Sequence, residues 1–433
     1  MKLISTSSAL ELFLAAITFS AFARSESNDQ PILSLSQDES FHFELLVPLG
    51  EAIYGGADVA PVLGAAENIT VGNFSSFHEV FYTLAKATKA QAEDPANAYD
   101  PLNVRETWFA TATYFRRADF YLHGDWDNPL INSLWDEQLN AFDHAISALP
   151  NPGKRLQIPA DTFAVEAIWY PATNESSKRP TLIMCNGYDG AQEDLFHTLV
   201  VPALARGWNA LTFEGPGHPT VRRRQNLGFI PDWERVVTPV VDYLLAQQAD
   251  NVDADRLALF GYSFGGYLAA RAAAFEPRLS AVLLDGGIWD TYQAYIQYLP
   301  ATAIALLDSG DKLAFDKALF AAVQAPETSS QVRWGLDQGL WSFKTHSPYD
   351  FFQMTKAYAV KDFVHDIAIP VWIADGVYEG FFQGQSAQVK DALGPNATLH
   401  VFTGPAGYHC QVGALQEMAR VLFAWLNKTL GSV

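Results

Sequence analysis

The sequence predicts an α/β protein: a mostly parallel, eight-stranded sheet with helices on both faces, preceded by a helical segment and interrupted by a helical insertion. Three observations carry that expectation. Past residue 150, short runs that are apolar at every position alternate with helix-length stretches, the pattern of strands buried on both faces by crossover helices. From about Ser75 to Leu149 the apolar spacing is helical and no convincing strand is found. At Leu257–Leu268, finally, a strand, a glycine-bracketed serine turn and an alanine-rich helix follow one another directly.

The first residues read as an address. Lys2 supplies a short basic start, Leu12 to Ala23 is an apolar run too short to span a bilayer, and Ala21-Phe22-Ala23 matches a small-residue cleavage site; Glu11 is the one residue against it. Five N-x-[ST] sequons, at Asn68, Asn73, Asn174, Asn396 and Asn427, add weight to passage through the secretory route. Residues 1–23 are therefore expected to be a signal peptide and the protein secreted or in the secretory pathway. A cytoplasmic protein with a frayed apolar start is the alternative.

Residues 24–150 are expected to form a helical cap. Ser76-x-x-Glu79 is a capping box opening a helix that stops before Asp94-Pro95, Asn103-x-x-Glu106 opens a second that ends at His123-Gly124, and Asn128-Pro129 opens a third ending at Pro150. The second carries Trp108, Ala112, Phe115 and Leu122 at helical spacing, an apolar stripe that needs a partner and reads first as core.

Residues 151–433 hold the sheet. Leu156–Ile158 and Phe163–Tyr170 read as an opening hairpin, followed by Thr181–Cys185, Ala210–Phe213, Leu257–Phe260, Ala281–Leu284, Val371–Ala374 and Leu399–Phe402. The intervening stretch Trp233–Gln248 places Val236, Val240 and Leu244 on one helical face. Gly287 to about Lys361 breaks the alternation with helical, aromatic-rich sequence: Trp289, Tyr292, Tyr295 and Tyr298 at every third position, then Trp334, Trp341, Phe351 and Phe352. Ligands of such sheets bind outside the carboxyl ends of the strands, so residues 287–361 should form a lid enclosing an aromatic-lined pocket.

Composition narrows the partners. A formal net charge of −20 lacks the basic footprint that nucleic acid or anionic lipid requires. No run is long enough for a stable membrane span, and no C-x-x-C or H-E-x-x-H suggests a metal; neither metal nor cofactor is expected. Cys185 and Cys410 are too few for a disulfide scaffold and read as small buried thiols. The partner expected is a small molecule, aromatic or extended and apolar. A homodimer is the assembly considered.

The chemistry is expected at Gly261-Tyr262-Ser263-Phe264-Gly265. A serine at a sharp strand-to-helix turn is exposed at the top of the sheet, and the flanking glycines remove side chains that would collide there. A hydroxyl is a weak nucleophile until a base, itself oriented by an acid, takes its proton. Of the ten histidines, His409 stands in the loop after the last strand; His400 lies within that strand, and His218, in the loop after the fourth, reads as an exposed loop residue, with a pocket-facing position the alternative. Two carboxylates stand beyond Val371–Ala374: Glu379, three residues after Gly376, is preferred, with Asp375 the alternative and Asp285 a weaker third. The oxyanion hole should draw one N–H from Phe264 and one from Tyr188 in the loop Cys185–Gly190. Glu214-Gly215-Pro216-Gly217 lacks phosphate-loop spacing and reads as a turn shaping the pocket floor.

Taken together, N-G-Y-D-G at Asn186, E-G-P-G at Glu214, G-Y-S-F-G-G at Gly261, F-F-Q-G-Q at Phe381 and G-Y-H-C-Q at Gly407 resemble the α/β-hydrolases that include 2,6-dihydroxypseudooxynicotine hydrolase and the fungal polyketide-shortening hydrolases of pigment pathways. Y-G-G-A-D at Tyr54 and R-R-A-D-F-Y-L-H-G at Arg116 extend the likeness into the cap, and Pro219–Ile230 is most similar to the fungal secondary-metabolite members. The resemblance implies the α/β-hydrolase fold, a serine triad of Ser263, Glu379 and His409 without cofactor, and cleavage of a carbon–carbon bond next to a ketone or of an ester. Relatives usually carry aspartate where Glu379 stands and commonly lack a signal sequence. A secreted general carboxylesterase, or a cyclase or lyase on the same fold, are the alternatives.

Overall fold

A computed structural model describes residues 31–432. Eight strands form one sheet: β1 (Lys154–Pro159), β2 (Ala164–Tyr170), β3 (Arg179–Cys185), β4 (Asn209–Glu214), β5 (Val252–Tyr262), β6 (Ala281–Asp285), β7 (Val371–Gly376) and β8 (Ala397–Phe402). Their order is β1-β2-β4-β3-β5-β6-β7-β8. β1 and β2 join antiparallel, and every pair from β4–β3 to β7–β8 is parallel. All eight expected strands are present, and β5 is longer than expected because Val252–Arg256 extends it in a less buried stretch. The central strands are buried at nearly every residue, as a sheet covered on both faces requires.

Among the described residues, five α-helices precede the sheet: α1 (Glu39–Glu51), α2 (Val59–Asn68), α3 (Phe74–Glu93), α4 (Pro101–Asp119) and α5 (Leu130–Ser147). The first two were not anticipated. Pro48 and Gly50 are poor helix formers, yet Pro48 falls in the last turns of α1, where little helix follows it, and Asp38 caps the start by accepting from the Phe41 N–H at 3.1 Å.

The caps of α3 and α4 also correct the sequence analysis. Asn73, not Ser76, caps α3 by accepting from the Ser76 N–H at 3.1 Å, while the Ser76 hydroxyl accepts from Thr70 N–H. Asp100, not Asn103, caps α4 and accepts from the Asn103 N–H at 2.8 Å. In each case an Asx residue three positions upstream caps the helix about one turn earlier, which leaves the expected cap inside the first turn. α4 ends at Asp119, short of His123.

From Trp108 onward α4 is buried, and its stripe is core on two sides. Trp108, Phe109 and Ala112 pack with Phe142, Phe196 and Ala210 beneath the sheet, whereas Tyr114 and Phe115 pack with Phe41, Phe77 and Phe81 of α1 and α3. The helical segment therefore shares its core with the sheet. The insertion after β6 holds helices Thr291–Ile296, Ala301–Ser309, Lys312–Val323, Ser330–Ser342 and Pro348–Thr355, which lie over the carboxyl ends of the strands. Among the described residues, no helix is long and apolar enough to cross a membrane. The apolar run ending at Ala23 lies outside the described residues.

Candidate active site

β5 ends at Tyr262, a helix begins at Gly265, and Ser263 sits between them at φ 58°, in the left-handed region that a side chain ordinarily avoids. The neighbouring strand holds it there: Ser263 N–H donates to the Asp285 carbonyl at 2.6 Å. Glycine is required on either side. A Cβ at Gly261 would lie 2.0 Å from the Gly265 carbonyl oxygen, and one at Gly265 would lie 2.7 Å from that of Asn186.

His409 follows β8 and reaches both neighbours. Its Nε2 lies 2.8 Å from Ser263 Oγ and its Nδ1 2.6 Å from Glu379 Oε2. The network fixes the neutral tautomer: Nδ1–H donates to Glu379 and Nε2 accepts from the serine hydroxyl. The other Glu379 oxygen accepts from the N–H groups of Phe381 (2.7 Å) and Phe382 (3.1 Å), which locks the carboxylate in place. Burial opposes charge on both residues, but their mutual attraction outweighs it. The Glu379 carboxyl is held below its usual range by His409 and the two amides, and His409 is raised above 6.5 by Glu379.

The other carboxylates do not join this relay. Asp375 Oδ1 accepts from the Gly376 N–H at 2.9 Å, and burial raises Asp375 to about 6. Asp285 is buried beneath the histidine loop, where the Gln411 amide, oriented with its nitrogen toward the carboxylate, donates to both its oxygens at 3.2 Å; burial raises Asp285 to about 7. Cys410 and Gln411 follow His409 at φ 51° and 48°, so the turn that aims the imidazole is itself strained. Cys410 is a buried free thiol 3.4 Å from His409 Nε2, and burial pushes its pKa well up; Cys185 is also buried and free.

Two supports of the Asn186–Gly190 loop were not read from the sequence. His218 is fully buried, which corrects the exposed-loop expectation. Its Nδ1 accepts from the Gly215 N–H at 3.3 Å and its Nε2–H donates to the Asn186 carbonyl at 3.0 Å, while burial lowers it to about 4 and keeps it neutral. Gln338 and Ser342 of the insertion donate to the Tyr188 carbonyl, each at 3.3 Å, and the Tyr188 hydroxyl donates to Gly335 at 2.8 Å. Among the described residues, neither the Tyr188 nor the Phe264 N–H is used in an internal hydrogen bond.

A cavity of about 210 Å³ opens over Ser263 and His409. Tyr295, Tyr298, Trp334, Phe351 and Phe352 of the insertion line it, and so do Phe43 and Val47 of α1. Two expectations need correcting. Trp341 stacks on His123 with 4.2 Å between ring centroids and lies away from the cavity. The Glu214–Gly217 turn is no pocket floor: Gly215 packs against Trp233 and Val236, and buried Glu214 accepts from the N–H groups of Gln192 and Thr220. Sequence reasoning also passed over Glu44, Glu51 and Arg117, which line the cavity's polar end.

Comparison with known proteins agrees with this architecture. Residues 182–419 match the model of the alpha/beta hydrolase family. The hydrolase LUC6 of a Fusarium species is 30% identical over 90% of this chain and 96% of its own length. The 20-hydroxy-prefusarin hydrolase FUS2 of Gibberella moniliformis is likewise 30% identical, over 90% and 96%. The crystal structure of 2,6-dihydroxy-pseudo-oxynicotine hydrolase superposes with a TM-score of 0.67 at 20% identity, covering 88% of this chain and 95% of that one. The chain thus belongs to the alpha/beta hydrolase family of enzymes.

Proposed function

We propose that the protein is a serine hydrolase of a polyketide-type secondary metabolite, cleaving a carbon–carbon bond next to a ketone, or an ester, without cofactor. The observation that carries this is the relay of Ser263, His409 and Glu379, at 2.8 and 2.6 Å, opening into an aromatic-walled cavity. A relative named for 20-hydroxy-prefusarin supports the substrate class.

In this mechanism Ser263 Oγ attacks the carbonyl carbon while His409 Nε2 takes its proton, and Glu379 holds the imidazolium. The Phe264 and Tyr188 N–H groups receive the oxyanion. With a β-dicarbonyl substrate, collapse breaks the bond to the α-carbon. The electron pair leaves as an enolate, which the imidazolium protonates. Water, deprotonated by His409, then releases the acyl group as a carboxylic acid and returns the proton to Ser263. Helices α1–α5 and the insertion act as cap and lid, excluding bulk water from the intermediate.

Aryl β-diketones and aryl esters incubated in heavy-oxygen water test the proposal. Heavy oxygen should enter the carboxylic acid product alone. Conversion without heavy-oxygen uptake would assign the chain to cyclase or lyase chemistry instead.

His218 should matter through the loop it supports. His218→Ala leaves the buried Asn186 carbonyl unpaired and frees the Tyr188 amide to move, so kcat should fall by about 10²-fold with a smaller change in KM. His218→Gln offers both a donor and an acceptor and should recover part of the loss. Equal loss in both variants, with unchanged thermal stability, would remove His218 from this role.

The secretory assignment rests on the N-terminal pattern and the sequons, and all five sequon asparagines are exposed. Expressed with its own N-terminus in a secreting eukaryotic host, the protein should reach the medium, begin just after Ala23 and lose mass on endoglycosidase treatment. Retention in the cytosol with residues 1–23 intact would refute it.

A further inference from the structure

The cavity has a polar end, where carboxyl groups outnumber cations. On α1, Phe43, Val47 and Glu51 recur every fourth residue and face the cavity, with Glu44 beside them. Two buried arginines of α4 reach this end, and both are already committed. Arg116 pairs with Asp189 (3.6 Å) and Asp194 (3.3 Å), and Arg117 pairs with Glu44 (2.7 Å) and Asp194 (4.0 Å).

Glu51 is thus a fourth carboxyl group in a cluster holding two cations. It is 3% exposed, lines the same cavity as Ser263, and its carboxyl makes no hydrogen bond or ion pair with a described residue. A buried carboxylate without a partner is costly, so the group keeps its proton. Burial, with Asp194 adding to it and Arg117 and Arg116 opposing it, raises Glu51 to about 8, and burial raises the neighbouring Glu44 to about 8 as well. A neutral carboxyl offers one O–H donor and one carbonyl acceptor, and a buried group of this kind facing a cavity is satisfied by what enters it.

The geometry points to Glu51 as a specificity-determining residue that hydrogen-bonds an uncharged oxygen, a ketone carbonyl or a hydroxyl, at one end of an extended substrate whose apolar body lies against the aromatic wall. The assignment rests on Ser263 as nucleophile and adds the substrate's polarity to it. A carboxylate at that end of the substrate is disfavoured, because both guanidiniums are already paired with Glu44, Asp189 and Asp194 and no further cation lines that end among the described residues.

The test uses alkyl fluorophosphonates in a series of tail lengths, each length tipped with methyl, hydroxyl, methyl ketone or carboxylate. Labelling rates are read by intact-protein mass spectrometry. In wild type, at the tail length that spans the cavity, the hydroxyl or ketone tip should label about tenfold faster than the methyl tip, and the carboxylate tip slower than methyl. Glu51→Leu should bring the hydroxyl-to-methyl ratio to about one, and Glu51→Gln, which keeps a donor and an acceptor, should preserve most of it. The ratio is internal to each protein, so a loss of folded fraction does not mimic the effect. A wild-type ratio near one at every length, or a tenfold ratio surviving in Glu51→Leu, overturns the assignment while normal methyl-tip labelling leaves the nucleophile standing. Absence of labelling by every probe would overturn both.

Discussion

Ser263→Ala is expected to lower turnover by about three or more orders of magnitude and to abolish the single fluorophosphonate adduct expected on wild type. The size follows from the relay: without the hydroxyl, His409 has no proton to take and no acyl-enzyme forms, so only binding and the oxyanion amides remain. The fold should survive, because among the described residues the serine side chain hydrogen-bonds to His409 alone and its backbone N–H still reaches Asp285.

A second variant separates chemistry from strain. Residue 263 sits at φ 58°, where glycine carries no steric penalty, so Ser263→Gly should be as inactive as Ser263→Ala yet more stable by about 1 kcal/mol. Mass spectrometry reads the adduct and denaturant unfolding reads the stability. An alanine variant with near-wild-type turnover would remove Ser263 from the nucleophile's position.

The features legible in the sequence were those written locally. The elbow needs a strand, two glycines around a serine and a helix within twelve residues, and all of them stand in Leu257–Leu268. Glu379 and His409 could be singled out because strand ends fix where the following loop must lie, and both loops leave the carboxyl edge of adjacent parallel strands. What escaped depends on packing between distant segments. Nothing local tells a buried His218 from an exposed one, since its burial comes from Phe229 and Trp233 closing over it. Glu44, Glu51 and Arg117 are ordinary helix residues by composition, and they become a buried cluster only when α1 is laid against α4 over the sheet. Gln338 reaches Tyr188 across 150 positions of chain.

Glu379→Gln should produce the other large effect, and its direction with pH is specific. His409 acts as a base only when neutral, so the acid limb of kcat/KM reports its pKa in the free enzyme. Burial alone would lower that pKa; the Glu379 carboxylate raises it above 6.5, with smaller help from Asp285 and Asp189. Wild-type activity should therefore fall as pH drops through a value above 6.5. Glutamine removes the charge while burial stays, so the limb should move to lower pH. The plateau should fall by about 10⁴-fold, because an amide can donate to Nδ1 and so favours the tautomer with the proton on the wrong nitrogen. Asp375→Asn should do far less: its carboxyl accepts from the Gly376 N–H and makes no hydrogen bond to His409. If the limb stayed in place in Glu379→Gln and moved in Asp375→Asn, the orienting acid would be Asp375, and the loop after β7 would have to rearrange in solution to bring it to the imidazole.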